Sequence, residues 1–112
     1  LKAPKRNYLY LLRSSDNGKT WSKPKDITGQ VLIKQDGTFL GVAPGVGLTT
    51  HKGRVIMPLY VDRKQTVSIY SIDDGENWHR MAGHPYAENV DEWQMVQAPS
   101  GAIIGLGTAK RG

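Results

Sequence analysis

The sequence contains no cysteine, a single phenylalanine and no long apolar run. Without thiols, a disulfide framework, a thiolate zinc site and cysteine-based catalysis are all excluded. Uninterrupted apolar stretches such as residues 55–57 and 102–104 are only a few residues long. Because a helix needs about 20 apolar residues to cross a bilayer, the sequence predicts no membrane insertion.

A strong excess of charge of one sign is also missing. The chain of 112 residues has 15 Lys and Arg against 10 Asp and Glu, a formal net charge of +5. Proteins that bind nucleic acid usually gather basic residues into one stripe with interleaved aromatic side chains. Here the basic residues are spread around turns, which is typical of a solvated surface. We therefore expect no nucleic-acid partner.

Helical periodicity is absent as well, because no stretch keeps apolar i, i+3, i+4, i+7 spacing over three turns. The 13 glycines and 6 prolines recur along the whole length, and turn clusters such as Asp36-Gly37 separate short apolar segments. The chain is therefore predicted to be all-β. Pro58 lies inside one predicted strand and should face a bulge or an unpaired side, since it has no N–H to donate. The predicted strands are residues 8–13, 39–42, 47–50, 54–61, 67–72, 92–97 and 102–107.

An internal repeat is the most informative feature of the sequence. Residues 14–21 read SSDNGKTW and residues 71–78 read SIDDGENW, an offset of 57 positions. A repeat of this size is typical of propellers and solenoids, whose units cannot bury their faces alone. The identical positions are Ser14 and Ser71, Asp16 and Asp73, Gly18 and Gly75, and Trp21 and Trp78.

The composition of the repeat favours a structural role. The carboxylate of an Asp in a turn can accept the N–H two residues on, and Gly permits a positive φ. We expect Trp21 and Trp78 to leave these turns as buried apolar plugs at equivalent positions. A carboxylate pair or a calcium site at Asp16 and Asp73 is the functional alternative. The three histidines have no metal-ligand spacing, so we assign no metal and no cofactor.

The pattern S-x-D-x-G-x-T-W resembles the Asp box of sialidases, with Asn77 in place of Thr in the second copy. Two further stretches strengthen the resemblance. FLGVAPGVGL and HKGRVIMPLY, residues 39–48 and 51–60, are similar to a loop and strand pair of bacterial exo-sialidases. EWQMVQAPSGAII, residues 92–104, is similar to the sialidase segment that carries a catalytic glutamate.

The resemblance implies a six-bladed β-propeller of four-stranded antiparallel blades whose hairpins carry the Asp boxes. At about 40 to 50 residues per blade, 112 residues correspond to a partial propeller of about two blades. We expect residues 1–30 to end one blade, residues 39–84 to form one full blade and residues 90–112 to begin the next. The remaining blades of the parent propeller would then be the structural partners of this chain.

Strand polarity predicts which end of a blade each motif occupies. The turn between the third and fourth strands of a blade lies at the end opposite to the start of the first strand. Both Asp boxes should therefore lie at the lower end, whereas Glu92 should lie at the upper end. Propellers usually gather ligand groups around the central channel at one such end.

The resemblance also implies a chemistry: hydrolysis of terminal sialic acids with retention, through a tyrosine nucleophile. Glu92 matches the glutamate that activates this tyrosine, while the tyrosine, the acid/base aspartate and two carboxylate-binding arginines lie outside the matching stretches. The second arginine is expected at Thr108, and a shift of three residues would bring Arg111 there instead. Tyr60 and Arg63 are candidates for the sugar pocket, although Tyr60 could equally pack between blades.

Three functions remain open from the sequence. The chain resembles part of a catalytic exo-sialidase, and we expect the 112 residues alone to be inactive. The alternatives are a non-catalytic sialidase-like propeller that binds glycans and an Asp-box scaffold that binds proteins. For the first two, sialylated glycans are the expected partners. The resemblance implies a secreted or cell-surface location.

Overall fold

The computed structural model describes residues 6–44, 46–62, 65–82 and 90–109, without the side chains of Gln35, Asp91 and Ala109. Within these residues the architecture consists of short antiparallel strands, one helix of a single turn and one 3-10 turn at Lys34–Asp36. The prediction of an all-β chain is confirmed. The elements are β1 (Tyr10–Leu11), β2 (Lys25–Asp26), α1 (Thr28–Val31), β3 (Leu40–Val42), β4 (Leu48–Thr49), β5 (Val55–Val61), β6 (Gln65–Ser71), β7 (His79–Arg80), β8 (Val90–Gln97) and β9 (Ile103–Ala109).

The central sheet has the strand order β3-β5-β6-β7, and β4 also pairs with β5. β3 and β4 pair with successive parts of β5, because Val42 lies opposite Leu59 and Leu48 lies opposite Ile56. They are therefore two pieces of one interrupted strand. With β5, β6 and β7 they form a four-stranded antiparallel unit that occupies residues 40–80.

Pro58 explains where this strand is interrupted. Its carbonyl accepts a hydrogen bond from the N–H of Ala43 at 3.2 Å, at the point where β3 ends. The N–H and C=O of a strand residue lie along the same edge, so the missing N–H of Pro58 faces the gap between β3 and β4. The expectation that Pro58 lies at an irregular point of the pairing is confirmed.

Two smaller sheets flank the central one, formed by β1 with β2 and by β8 with β9. β1 is much shorter than the predicted strand over residues 8–13. Outside β1 this segment is joined to residues 22–27 by isolated backbone hydrogen bonds and not by a continuous ladder. The N–H of Ile27 donates to Leu9 at 3.0 Å and that of Ser22 to Arg13 at 2.8 Å. β2 and β7 were not predicted, since two residues show no alternation.

The helix α1 is a single turn whose start is fixed by side-chain oxygens. The N–H of Thr28 donates to Oδ1 of Asp26 at 2.9 Å, and Oγ1 of Thr28 accepts the N–H of Leu9 at 2.8 Å. Val31 closes the turn and is 1% exposed. Four residues are too few for a helical pattern, so the sequence did not predict this element.

The core lies between α1 with its flanking segments and one face of the central sheet. It is made of apolar side chains that are at most 6% exposed. The strand β6 is buried on both faces. None of the helices in the described ranges is long and apolar enough to cross a membrane. The core residues are Leu9, Ile27, Val31, Leu40, Leu59, Val61, Val67, Ile69 and Trp78.

A buried ion pair ties the loop after α1 to β7. The guanidinium of Arg80 donates to both carboxylate oxygens of Asp36, at 2.7 and 2.8 Å, and to the carbonyl of Val31 at 3.0 Å. The same carboxylate accepts the N–H of Ile33 at 2.8 Å. Asp36 is 2% exposed, so removing one partner would leave a buried charge without compensation.

The central sheet has two ends, which we call upper and lower. The upper end contains Leu40 and Val61, and the lower end contains Val55 and Ser71. β8 runs from the upper to the lower end, because Trp93 bonds to Leu59 whereas the side chain of Gln97 bonds to the lower hairpin at residue 51.

Candidate functional site

The sequence-predicted site residues that the structure describes lie toward the upper end. Glu92 is in β8 with an exposed side chain, Tyr60 is in β5 and Thr108 is in β9. Arg63 and Arg111 lie outside the described residues. Both Asp boxes lie at the lower end, as strand polarity predicts. The second box begins at Ser71, the last residue of β6, and Arg13, directly before the first box, contacts Asp74 of the second.

A β-bulge places Glu92. In the ladder between β8 and β9, Val90 lies opposite Ala109 and Trp93 lies opposite Gly107. Two residues of β8, Asp91 and Glu92, therefore face the single residue Thr108. Bulges of this kind bend a strand and re-aim its side chains, and they are common next to active sites.

Thr108 is thus the residue of β9 that lies opposite Glu92. The irregularity adds one residue to β8, and the pairing of β9 is regular from Ile103 to Gly107. No three-residue shift occurs in this described part of β9. Arg111, which such a shift would bring to the site, stays a prediction because it lies beyond the described residues.

Tyr60 is half-buried and packs on β3. Its ring centroid is 5.6 Å from that of Phe39, and a methyl group at Gly41 would lie 2.6 Å from its Cζ. Gly41 is also the cross-strand partner of Tyr60, so the ring fits only because Gly41 has no side chain. These contacts explain the position of the Tyr60 ring by packing, and a contact of Tyr60 with substrate stays a prediction.

Asp62 is a feature of the upper end that the sequence analysis missed. It has φ of 49°, and its N–H donates to the carbonyl of Phe39 at 3.0 Å. A methyl group at Gly37, whose φ is 76°, would lie 3.0 Å from Oδ2 of Asp62. The only signal in the sequence was the predicted turn at Asp36-Gly37.

The first Asp box is closed by its own side chains. Oγ of Ser14 donates to Oδ1 of Asp16 at 2.8 Å and accepts the N–H of Gly18 at 2.8 Å. The carboxylate also accepts the N–H of Thr20 at 2.9 Å and its hydroxyl at 2.5 Å. Led by the hydroxyl of Thr20, these bonds lower the pKa of Asp16 to about 2.

The second box repeats this network. Oγ of Ser71 donates to Asp73 at 2.8 Å and accepts the N–H of Gly75 at 2.8 Å. The N–H of Asn77 donates to Asp73 at 2.9 Å and its side-chain amide at 2.8 Å. These bonds, the backbone one first, hold the pKa of Asp73 well below its usual range. The amide of Asn77 thus replaces the hydroxyl of Thr20.

Two details of the turns differ from the sequence expectation. Each carboxylate accepts the N–H four residues on, rather than two, because Ser Oγ takes the N–H of the glycine. Gly18 and Gly75 both have φ of 86°, as expected, but Asn17 and Asp74 are also left-handed, with φ of 61° and 60°. Asn and Asp tolerate this conformation better than other residues with a side chain.

The two tryptophans differ in burial, and the expectation of a buried Trp21 is wrong. Trp78 is 4% exposed, whereas Trp21 is 60% exposed. Each indole N–H donates within its own turn, to Gly18 at 3.1 Å and to Gly75 at 2.9 Å. Trp78 packs in the core with α1, and its backbone N–H bonds to Gln30 at 2.8 Å. No segment of the described chain covers Trp21 in the same way.

An exposed cluster of charges joins the two boxes. The guanidinium of Arg13 donates to the carboxylate of Asp74 at 3.3 Å and to its carbonyl, and lies 3.6 Å from the carboxylate of Glu76. Lys25 donates to the carbonyl of Glu76 at 2.8 Å. Exposed pairs of this kind contribute about 0 to 1 kcal/mol each.

The boxes therefore have a structural arrangement, with each carboxylate held by donors from its own turn. In the residues that the structure describes, no three His, Asp or Glu side chains come together as a metal site. A carboxylate that accepts several hydrogen bonds is a weak base. Glu92 is exposed in β8, at the opposite end of the sheet from both boxes, and it remains our candidate for moving a proton.

A cavity of about 510 Å³ lies between the β5–β6 face of the central sheet and the hairpin of β8 and β9. Its lining is mainly apolar, and among the residues that the structure describes Oγ of Ser68 is buried without a hydrogen-bond partner. None of the described residues that line it is charged, so we do not assign it as the site of an anionic sugar. Its apolar side chains include Ile56, Met81, Trp93, Met95 and Ile103.

Comparison with known families gives one match over most of the chain. The family described as BNR repeat-like domain matches residues 3–99. This span includes both Asp boxes, the central sheet and all of β8.

Individual relatives carry the name sialidase. A protein called sialidase from Bacteroides fragilis is 36% identical over 101 residues, covering 86% of this chain and 18% of the relative. Sialidase-2 of Cricetulus griseus is 32% identical over 104 residues, covering 81% and 27%. The solved structure of Hadza microbial sialidase Hz136 superimposes with a TM-score of 0.67 at 38% identity, over 79% of this chain and 17% of that one. The chain thus spans roughly a fifth of these proteins, matching a fragment of a sialidase β-propeller.

Proposed function

The chain belongs to the BNR repeat-like domain family, and we propose that it forms part of an exo-sialidase that removes terminal sialic acids from glycoconjugates. Glu92 would be the residue of this chain that takes part in the reaction. The observation that carries the proposal is the placement of Glu92: exposed at a bulge, at the end of the sheet opposite to both Asp boxes.

The substrate explains why a glutamate would act through a tyrosine. The anomeric carbon of sialic acid already carries a carboxylate, so an anionic nucleophile would be repelled as it approaches. A neutral tyrosine hydroxyl avoids this repulsion but needs a base. In the proposed step Glu92 accepts the hydroxyl proton while the tyrosine oxygen bonds to the anomeric carbon. The bond to the leaving oxygen breaks, and an aspartic acid protonates that oxygen.

The second step returns the enzyme to its starting state. The aspartate accepts a proton from water, whose oxygen attacks the anomeric carbon, and the bond to the tyrosine breaks. The tyrosine oxygen takes its proton back from Glu92. Two inversions at one carbon give net retention. The tyrosine and the aspartate would belong to parts of the parent protein outside the stretches of this chain that resemble sialidases.

The substrate carboxylate would be held by arginines, whose planar fork pairs with its two oxygens. Arg111 is our candidate for this role in this chain, whereas Arg63 and Tyr60 are candidates for lining the sugar pocket. Lys110 is a poorer candidate than Arg111 because it lacks the fork.

A non-catalytic protein that binds sialylated glycans is the second candidate function. It is favoured by one observation: Thr108, and not an arginine, lies opposite Glu92. Loss of one carboxylate-binding residue weakens the grip on the substrate in the transition state and leaves other sugar contacts unchanged.

We also propose that the remaining blades of the parent propeller pack against this chain. Ile104 and Leu106 of β9 are 55% and 81% exposed, and Val96 of β8 is 57% exposed. Apolar residues at this density on a two-stranded sheet favour burial by further strands of the same protein. We also propose a secreted or cell-surface location, where sialylated glycoconjugates are found.

The test compares the full-length protein with the 112-residue chain on a fluorogenic sialoside. We expect the full-length protein to release sialic acid and the purified 112-residue chain to release none, because the latter lacks the nucleophile. A full-length protein that binds an immobilised sialoside without releasing sialic acid would favour the second candidate. Release of sialic acid by the 112-residue chain that is lost on Glu92→Gln would contradict the proposal that the nucleophile belongs to another part of the parent protein.

A further inference from the structure

Trp93, the residue after Glu92, anchors β8 to the central sheet. Its side chain is 4% exposed, and its indole N–H donates to the carbonyl of Leu59 in β5 at 2.7 Å. The bond joins two different sheets, because β8 forms its ladder with β9. A buried indole N–H normally has such a partner, and losing it leaves a buried polar group unsatisfied.

The indole ring is also confined by two glycines of β9. A methyl group at Gly105 would lie 3.1 Å from Cζ3 and 3.3 Å from Cε3 of Trp93. At Gly107 it would lie 2.8 Å from Cβ of Trp93 and 2.7 Å from Cγ1 of Val90. The tryptophan therefore fits β9 only because both positions lack a side chain.

The bulge and this anchor together fix the face on which Glu92 lies. Val90 and Trp93 are three residues apart, yet both contact the same face of Gly107 and both line the cavity. In a regular strand such residues would point to opposite faces. The extra residue restores them to one face, and Glu92, next to the buried Trp93, is left exposed on the other.

We propose that Trp93 is a positioning residue for Glu92, through its hydrogen bond to Leu59 and its packing on Gly105 and Gly107. This inference rests on the proposed function, in which Glu92 is the base. A general base must come within about 2.6 to 3.2 Å of the proton that it accepts. A displacement of 1 Å can cost about 10²-fold in rate, so the strand that carries Glu92 needs a fixed position.

The test uses Trp93→Phe in the full-length protein, which removes the N–H donor and keeps an aromatic ring. We expect kcat to fall about 10-fold, as for a displacement well under 1 Å, while KM changes less than about twofold. In a Glu92→Gln background the same substitution should cause no further loss of kcat. Residues that act as a unit show this kind of non-additivity.

Trp78→Phe is the matched control. Trp78 has the same 4% exposure, and its indole N–H also donates to a backbone carbonyl, that of Gly75. It lies in the Asp box at the other end of the sheet. We expect both variants to lose thermal stability, but only Trp93→Phe to lose kcat.

A milder variant keeps the proposal testable if Trp93→Phe does not fold. Gly105→Ala places a methyl group against the indole ring without removing any core side chain. We expect about a threefold loss of kcat, a smaller displacement than in Trp93→Phe, and again none in the Glu92→Gln background.

The outcomes separate this inference from the proposed function. If Glu92→Gln lowers turnover by at least about 10²-fold but Trp93→Phe and Gly105→Ala keep the kcat of the unmodified protein, the positioning role is wrong and the base assignment remains. A loss of kcat that persists in full in the Glu92→Gln background also overturns it. If Glu92→Gln retains full turnover, the base assignment itself fails, and the positioning role fails with it.

Discussion

The two Asp boxes have nearly the same hydrogen bonds but opposite environments for their tryptophans. In each, a serine hydroxyl bridges the carboxylate and the glycine N–H with 2.8 Å bonds. Yet Trp21 is 60% exposed and Trp78 is 4% exposed. The turn is therefore specified by its own eight residues, whereas burial of the tryptophan depends on a neighbouring segment that packs against it.

The largest expected difference between the boxes concerns these tryptophans. Trp78→Ala should destabilise the 112-residue chain by about 3 to 5 kcal/mol, the usual cost of removing a buried aromatic side chain. Trp21→Ala should change stability by about 0.5 kcal/mol or less, as for other surface substitutions. Urea denaturation of both variants measures the difference. Equal losses would show that Trp21 is packed in solution.

Substituting the glycines of the two boxes should give a smaller difference in stability than substituting the tryptophans. Gly18→Ala and Gly75→Ala both force a side chain into φ of 86°, which costs about 1 to 2 kcal/mol. At Gly75 the methyl group would also lie 2.9 Å from Nη2 of Arg13, whereas at Gly18 the nearest atom is 3.7 Å away. We expect Gly75→Ala to lower the melting temperature more. In an Arg13→Ala background this excess should disappear, and an excess that remains would contradict the contact.

Acid should weaken both turns, because Asp16 has a pKa lowered to about 2 and that of Asp73 is also lowered. A carboxyl whose pKa is lower in the folded state contributes stability above its unfolded pKa, near 3.9. That contribution is lost as the pH falls through the folded pKa.

The corresponding measurement is the urea midpoint between about pH 5 and pH 2, a range that brackets the ordinary pKa of aspartate. We expect stability to fall over this range and the fall to become shallower in Asp16→Asn and in Asp73→Asn. Asp74→Asn is the matched control at an exposed carboxylate in the same region. An unchanged slope in both box variants would mean that the carboxylates are not held by these bonds.

Exchanging the fourth residue after each Asp should have the smallest effect. The hydroxyl of Thr20 and the amide of Asn77 each donate to the outer carboxylate oxygen, at 2.5 and 2.8 Å. We therefore expect Thr20→Asn and Asn77→Thr to change stability by about 0.5 kcal/mol or less. A loss above about 1 kcal/mol in either variant would show that the two donors are not equivalent.

The parts of the fold that were predicted are those encoded within a few neighbouring residues. The strand predicted over residues 54–61 is β5, Val55–Val61, and the irregularity at Pro58 was anticipated from its missing N–H. Alternation and turn residues suffice for this. The helix α1 was missed because one turn has no period, and the pair of Asp36 with Arg80 joins residues 44 positions apart.

For the candidate site, the sequence pointed to Glu92 but not to what surrounds it. The bulge depends on the register between β8 and β9, which neither strand encodes alone. Two signals were present nevertheless: Gly105 and Gly107 alternate in β9 and leave room for one large side chain on β8. Nothing in the sequence indicated that Trp21 is exposed, because its motif has the same Ser, Asp, Gly and Trp as the motif that contains Trp78.

The central claim is that the chemistry lies at the end of the sheet opposite to the Asp boxes, and one pair of variants tests it directly. Glu92→Gln and Asp16→Asn each replace one carboxylate by an amide in the full-length protein, one at each end. We predict that Glu92→Gln lowers turnover of a sialoside by at least about 10²-fold, the lower range for general-base assistance, with little change in melting temperature. Asp16→Asn should lower the melting temperature and leave the turnover of the folded protein intact. Undiminished turnover in Glu92→Gln would contradict the account.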